Sequence, residues 1–455
     1  MRTHQAALAL AALAAAVLMA GCEKDEEATR RFPRADEPAS RVMSELRSLR
    51  LANGVSVYLQ EEHTDDRVAI EVLYRAGLIH EPANMLQVAH LAEHVVSHSG
   101  TASYESGEAL RRVRRYGMMA AEAAGDFVHY SYIATAEKLD EVLGIEAERM
   151  TSLRIGQDVL QREAENAKDE IAGTLTQGGT LLRFGLVAMN QVYYHGAVHV
   201  PVEAANLSLT REQVEGFHAQ YYRPDDMVVS LVGGIQLDEA ERLVRKHFEG
   251  LASRPAPPAL QPAVTKSVRA TWDVPAEVTF LVFPCTEATR KERLALTIFG
   301  AHLHRQISTS EEFFNVMASA YTSNISYPVR DLPFFIYLQA RPRQSLAGLR
   351  DDILRLTEAT VSDVDEKTTE SLRALAESFM TSTMLKEFDT FSVPHHRTIG
   401  QEALNNGLKH YLREGSSVDE FVALVREISA EDMRAALDKH IVRSNMIEIS
   451  FTGGP

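Results

Sequence analysis

The residues of this chain best suited to do chemistry are His90, Glu93 and His94, in the run His90-Leu-Ala-Glu-His94. An α-helix advances about 100° per residue, so positions i, i+3 and i+4 share a face. On a helix, His90 and His94 can offer two imidazole nitrogens to one metal ion. Glu93 then stands beside the ion, close enough to reach a water without binding the metal itself. The order H-x-x-E-H points to zinc and to hydrolysis. Taken alone, the five residues equally fit a surface helix with two histidines and an ordinary glutamate.

A zinc site needs a third protein ligand. The stretch Arg162-Glu163-Ala-Glu165-Asn-Ala-Lys-Asp-Glu170 offers one. Glu163 and Glu170 are seven residues apart, two helical turns, and look out from one face. Glu170 is the candidate ligand, and Glu163 the candidate hydrogen-bond partner that would orient a ligand histidine. Glu165 lies on another face and reads as solvated. By spacing alone, the whole helix would also pass for a solvated acidic surface.

Several elements must position these groups. Leu51-Ala-Asn-Gly-Val-Ser-Val-Tyr-Leu59 reads as an Asn-Gly turn leading into an alternating strand. Residues 67–75 form a second strand, ended by Ala76-Gly77. Pro82 and Asn84 open the metal-bearing helix and Gly100 closes it. Residues 106–116 make an amphipathic helix with Gly117 as its C-cap, and 127–134 a strand. Two long helices follow, over 136–153 and 157–177.

Between residues 252 and 264 lie four of the chain's 16 prolines, which mark a semi-rigid spacer and a domain boundary. The order of elements then repeats: a strand at 278–283, a helix over 290–306, strands near Tyr321 and at 334–340, further helices, and a last strand at 446–451. Two copies of one α+β unit are the economical reading, a first over 43–251 and a second over 265–455. The second copy has no metal motif. His302 and His304 are two apart, roughly 200° around a helix, and His395 and His396 are adjacent, so neither pair can share an ion. This copy is structural, or a wall for substrate.

His90-Leu-Ala-Glu-His94 followed by Gly100-Thr101, with Glu163 and Glu170 ahead, resembles the insulinase/pitrilysin (inverzincin) metallopeptidase family, its mitochondrial-processing-peptidase-like bacterial branch in particular. Leu51-Ala-Asn-Gly-Val, Ala76-Gly77 with Glu81-Pro82, and Tyr221-Tyr-Arg-Pro224 through Gly233 resemble the flanks of that family's first domain. The likeness runs from about Met43 to Leu251 and more faintly beyond. It implies two similar tandem α+β domains, each a mixed, mainly antiparallel sheet with helices packed on it. It also implies one Zn²⁺ held by His90, His94 and Glu170, Glu93 as the general acid–base, and a peptide or unfolded segment as substrate. Relatives that cut peptides use an Arg and a Tyr seven residues apart. Aligning Ala318-Ser-Ala-Tyr321 with Gly-Leu-Ala-Tyr assigns substrate binding to Tyr321, but Phe314 stands where the Arg belongs. The family's Asn-Ala-x-Thr substrate edge reads Ala120-Ala121-Glu122-Ala123, and Gln87 replaces a glycine three residues before the first ligand. With Phe314 unable to donate a hydrogen bond, the isolated chain is expected to be weak or inactive. Insulinase-like relatives have four such domains, so a two-domain chain implies a second subunit: a heterodimer first, a homodimer second. The alternative is a catalytically weak or inactive, lipid-anchored peptide-binding or assembly subunit.

At the N-terminus, residues 6–20 have the length of a secretory apolar segment. They run into Leu18-Met19-Ala20-Gly21-Cys22, which resembles a bacterial lipobox. That implies a signal peptide over 1–21, lipid on Cys22 and a place in the cell envelope, periplasmic and anchored to the outer membrane. Residues 22–42 are charged and poor in aliphatic side chains, a disordered tether reaching about 25 Å. With Cys22 acylated, Cys285 has no disulfide partner. At 455 residues and 45% hydrophobic content the chain can build two sizeable cores. A formal net charge of -16 argues against a nucleic-acid partner.

Overall fold

The computed structural model describes residues 46–63, 66–82, 84–123, 125–176, 181–196, 208–271, 277–285, 287–309, 313, 317–320, 333–339, 345–381, 397–412 and 418–452. Strands β1 (Arg47–Arg50), β2 (Ser56–Glu61), β3 (Arg67–Tyr74), β4 (Met118–Ala123), β5 (Val128–Thr135) and β6 (Met227–Gly233) form one sheet in the order β1-β2-β6-β3-β5-β4. β2 runs parallel to β6, and the other neighbours are antiparallel. Alternation along these strands sends Val57, Leu59, Ile70, Val72, Tyr130 and Leu231 to one face, into the main core. Among the described residues, seven α-helices belong to this half: α1 (Val88–His98), α2 (Glu108–Tyr116), α3 (Leu139–Thr151), α4 (Gln157–Thr176), α5 (Leu181–His195), α6 (Arg211–Tyr221) and α7 (Leu237–Phe248).

The second half has β7 (Val268–Thr271), β8 (Val278–Phe283), β9 (Met317–Ala320), β10 (Phe334–Gln339) and β11 (Ile447–Thr452), in the order β7-β11-β8-β10-β9. β7 is parallel to β11 and the rest are antiparallel. Strand for strand this repeats β2-β6-β3-β5-β4, so the two halves are copies of one topology. Its helices are α8 (Arg290–Thr309), α9 (Leu346–Ser362), α10 (Glu366–Thr381), α11 (Arg397–Leu412), α12 (Val418–Arg426) and α13 (Ala430–His440). The fold is α+β, two similar units in tandem.

Residues 251–267 hold no helix or strand. Yet each half covers the other's sheet with a helix. From α5, Ala188, Met189, Val192 and Tyr193 pack against Phe280, Val282, Tyr337 and Phe451 of the second sheet. In return, α11 sets Ile399, Ala403, Leu404 and Leu408 on the first sheet, against Ala69, Leu73, Ile133 and Val232. Each large apolar side chain so buried contributes about 1.5–3 kcal/mol. The approach is close: a Cβ on Gly407 would come within 2.5 Å of Leu73 Cδ1.

Several expected boundaries move by a few residues, among them the following three. The helix carrying His90 and His94 starts at Val88, not at Pro82 or Asn84. The helix read over 290–306 continues to Thr309. The strand expected near Tyr321 is Met317–Ala320. Tyr321 itself, Phe314, His395, His396, Cys22 and the segments 1–21 and 22–42 lie outside the described residues. Among the described residues, no helix is long and apolar enough to cross a membrane, and Cys285 is a free thiol.

Candidate metal centre and its base

Helix α1 forms because Val88, Ala89, Leu91, Ala92, Val95 and Val96 share a face that the core takes up. Its first turn is capped from a distance. The buried Glu81 carboxylate accepts the Gln87 N–H at 2.8 Å and the Ala89 N–H at 2.9 Å. That cap fixes the start at Val88, after Gln87 turns through φ 65°. Past the other end, Gly100 and Arg154 exchange backbone hydrogen bonds of 3.3 and 2.8 Å. The bridge ties α1 to the segment leading into α4. There Leu160, Ala167 and Ile171 are buried, while Glu163 and Glu170 lie on the flank that meets α1.

The convergence is specific. Glu170 Oε2 is 3.4 Å from His90 Nε2 and 3.4 Å from His94 Nε2. The rings of His90 and His94 stand 4.9 Å apart, inclined at 77°. Glu93 is within reach: its Oε2 is 4.0 Å from His94 Nε2, and it offers a ligand atom within 4.8 Å of one on each histidine. Glu163 is fully buried and turned to the other side of His94, 3.5 Å from Nδ1. Arg162 Nε and Asn166 Nδ2 each donate to it at 2.9 Å, which fixes the carboxylate. Glu165 is exposed and pairs with Lys168 at 2.8 Å.

The electrostatics follow from this crowding. Burial pushes the Glu93 carboxyl up to about 7, with His94 opposing and Glu170 adding to the rise. Burial works against charge on His94, but Glu163 and Glu170 outweigh it and raise the metal-free ring to about 10. Glu163 is likewise disfavoured by burial, yet His94 and Asn166 bring it down to about 2. The His90 and His94 rings beside it hold Glu170 well below the usual carboxylate range.

Several contributors escaped the sequence reading. His98, one turn after His94, donates from Nδ1 to the His94 carbonyl at 2.9 Å and lies 3.5 Å from Glu163. The i+4 spacing that found His94 would have found it too. Gln87 Oε1 lies 3.2 Å from His90 Nδ1. Buried His129 on β5 sits between Glu71 at 3.2 Å and Glu122 at 3.7 Å. Nothing local announces that trio, because it is assembled by strand pairing. Behind α1, the buried Arg149 donates to Glu146 at 2.5 Å and to the Ser97 carbonyl at 3.3 Å, and bonds Tyr132 as well.

Fold and side chains together define a duplicated α+β scaffold with a two-histidine, one-carboxylate cluster in its first copy. Residues 56–181 match the family model for Insulinase (Peptidase family M16), and residues 208–375 match the Peptidase M16 inactive domain. The chain belongs to the insulinase family, peptidase family M16. It is 27% identical over 212 residues to the zinc protease PqqE of Helicobacter pylori, a match covering 45% of this chain and 47% of that protein. The match therefore spans about half the length of that relative. The crystal structure of a protease from Helicobacter pylori superposes with a TM-score of 0.68 at 18% identity, over 90% of this chain and 99% of that one. The first half of the periplasmic protease PqqL from Escherichia coli superposes at 0.55 with 14% identity, over 90% and 92%.

Proposed function

We propose that this chain is a zinc metalloendopeptidase acting on peptides or unfolded segments, the zinc-bearing subunit of a dimer. The observation that carries the reading is the meeting of His90 Nε2, His94 Nε2 and Glu170 Oε2 beside Glu93. A tetrahedral ion with nitrogen and oxygen donors at about 2.1 Å sets those donors about 3.4 Å apart. The carboxylate–imidazole separations here are 3.4 Å, long for a charge-assisted hydrogen bond, which prefers about 2.7–2.9 Å. The donor set and its spacing fit zinc: His90, His94 and Glu170 would hold it, and Glu163 would orient His94.

Bound zinc supplies Lewis acidity, acidifying water and polarising a carbonyl. The remaining work falls to the chain's own residues. Glu93, with its carboxyl near neutral, takes a proton from the attacking water and returns it to the departing amine as the amide C–N bond breaks. Strand β4 is the edge of the first sheet and only partly buried, so an extended peptide can pair along it beside Glu93. Phe314 supplies no hydrogen-bond donor, and a partner subunit would complete the substrate chamber, a heterodimer before a homodimer. The lipobox-like sequence at Cys22 and the periplasmic setting of PqqL support a lipid-anchored envelope location.

A second reading, a weakly active or inactive peptide-binding or assembly subunit, draws on Ala120 and Phe314, which depart from the residues that relatives use on substrate. Two measurements decide between them. Purified protein should retain one zinc per chain through dialysis, and Glu170→Gln or His94→Ala should lose it. A quenched random peptide mixture should be cleaved when a partner of the same family is added. Absence of zinc sinks the metal centre. Zinc without cleavage under any pairing selects the second reading.

A further inference from the structure

Among the described residues, Gln87 is the one non-glycine residue with positive φ, at 65°. An L side chain is strained there, and glycine or asparagine is the easier choice. The helix end gives no reason for a glutamine. Its side chain caps nothing, because Glu81 already accepts the N–H groups of Gln87 and Ala89. The amide points elsewhere: Oε1 lies 3.2 Å from His90 Nδ1, and the residue is 9% exposed.

We propose that Gln87 is a positioning residue for the metal centre, holding His90 through its Nδ1 as Glu163 holds His94. The inference rests on the zinc reading above. An amide oxygen only accepts, so the contact keeps the proton on Nδ1 and leaves the Nε2 lone pair directed toward Glu170. Each ligand ring then has its own anchor, a neutral amide on His90 and a carboxylate on His94. The family's glycine at this place would give the same backbone turn without strain but no hold on the ring. Retaining a strained glutamine makes sense if the side chain has a task.

Full-length protein separates this task from mere support of the fold. Zinc affinity is measured by competition with a chromogenic chelator for the wild type and for Gln87→Gly, Gln87→Asn and Gln87→Glu. The melting temperature of each zinc-free chain is measured alongside. Glycine and asparagine both accept the left-handed turn, and neither reaches His90. Both should weaken zinc by about tenfold, the low end for a partner of a metal ligand, while the zinc-free melting temperature does not fall. Glutamate keeps an acceptor and should hold zinc at least as tightly as the wild type. Unchanged zinc affinity in Gln87→Gly overturns the inference, as does a loss that tracks a lower zinc-free melting temperature. A wild-type chain that binds no zinc overturns the zinc reading itself, and this inference with it.

Discussion

The two halves share a topology and differ in what they bury. In the second sheet the described faces are mainly hydrocarbon, with one buried hydroxyl pair, Thr279 and Ser450 at 2.8 Å. Phe280, Val282, Phe335 and Tyr337 meet α5, and Leu281, Phe283, Phe334, Ile336 and Leu338 enter the core with α8. In the first sheet one face is equally apolar, but the face under α11 is mixed. Leu73 packs there on Leu408, and alternation puts Glu71 on the same side. Tyr58 bonds His410 at 2.7 Å, Asn406 donates to Gln60 at 3.2 Å, and Glu71 meets His129 at 3.2 Å. Buried polar groups cost stability unless they are paired. The heavier polar load lies at the sheet of the copy that holds His90, His94 and Glu170, and the second sheet carries only the Thr279–Ser450 pair among its buried described strand residues.

The largest effect expected of any single change falls on Glu93. On the function proposed above, Glu93→Gln keeps the shape, removes the base, and should cut peptide hydrolysis by about 10²–10⁴-fold while zinc content stays at the wild-type level. A histidine change in the other copy, His302→Ala on α8, should alter neither zinc nor rate. If both variants lose activity alike, the division between the halves is wrong.

Next in size is the charge buried behind α1. Arg149 is 2% exposed and holds Glu146 at 2.5 Å. Arg149→Met leaves that buried carboxylate without its counter-charge, with only the Tyr132 and Tyr74 hydroxyls donating to it, and should cost about 3–5 kcal/mol, read as a shift in the urea midpoint. Adding Glu146→Leu should recover much of the loss, since a buried pair replaced by hydrocarbon is often neutral. A double variant no better than the single would mean that the pair does more than balance charge.

Much of this arrangement was legible in the sequence because it obeys helical periodicity. His90, Glu93 and His94 share a face by spacing alone, and Glu163 and Glu170 likewise. Long-range assembly left no such trace. β4 reads Met-Met-Ala-Ala-Glu-Ala, with no β-branched residue, and is a strand only because β5 pairs with it from Met118 to Ala123. The amphipathic pattern of α11 says that one side is buried but not that the other half's sheet will bury it. Pro82 and Asn84 look like start signals for α1, yet the Glu81 carboxylate decides where the helix begins.

The exchange of helices can be strained directly. Gly407→Ala places a methyl 2.5 Å from Cδ1 of Leu73, a core side chain with no exposure. Overpacking of this kind costs about 1–3 kcal/mol. Gly348→Ala on α9 meets only ordinary contact, with Ser345 Cβ at 3.6 Å, and should cost nothing measurable. Equal melting temperatures for the two variants would show that α11 rides loosely on the first sheet.

The smallest expected effect belongs to a surface group of the second half, where charge serves only the fold. Glu292 accepts from the Thr289 N–H at 2.7 Å at the start of α8, and from Lys439 at 2.8 Å on α13. Burial alone would raise its carboxyl, but Lys439, the backbone N–H and His440 bring it down to about 2. A carboxylate with a depressed folded value adds stability above its unfolded value, about 4.3. That contribution declines as pH falls from there toward 2. The pair sits at the surface, with the Lys439 side chain 49% exposed, and solvent screens it, so Glu292→Gln should cost less than about 1 kcal/mol at pH 7. The gap between wild type and variant should stay flat above pH 5 and close by pH 2. A gap that persists at pH 2 would mean that Glu292 acts through packing, and that the second half's charges are less peripheral than their exposure suggests.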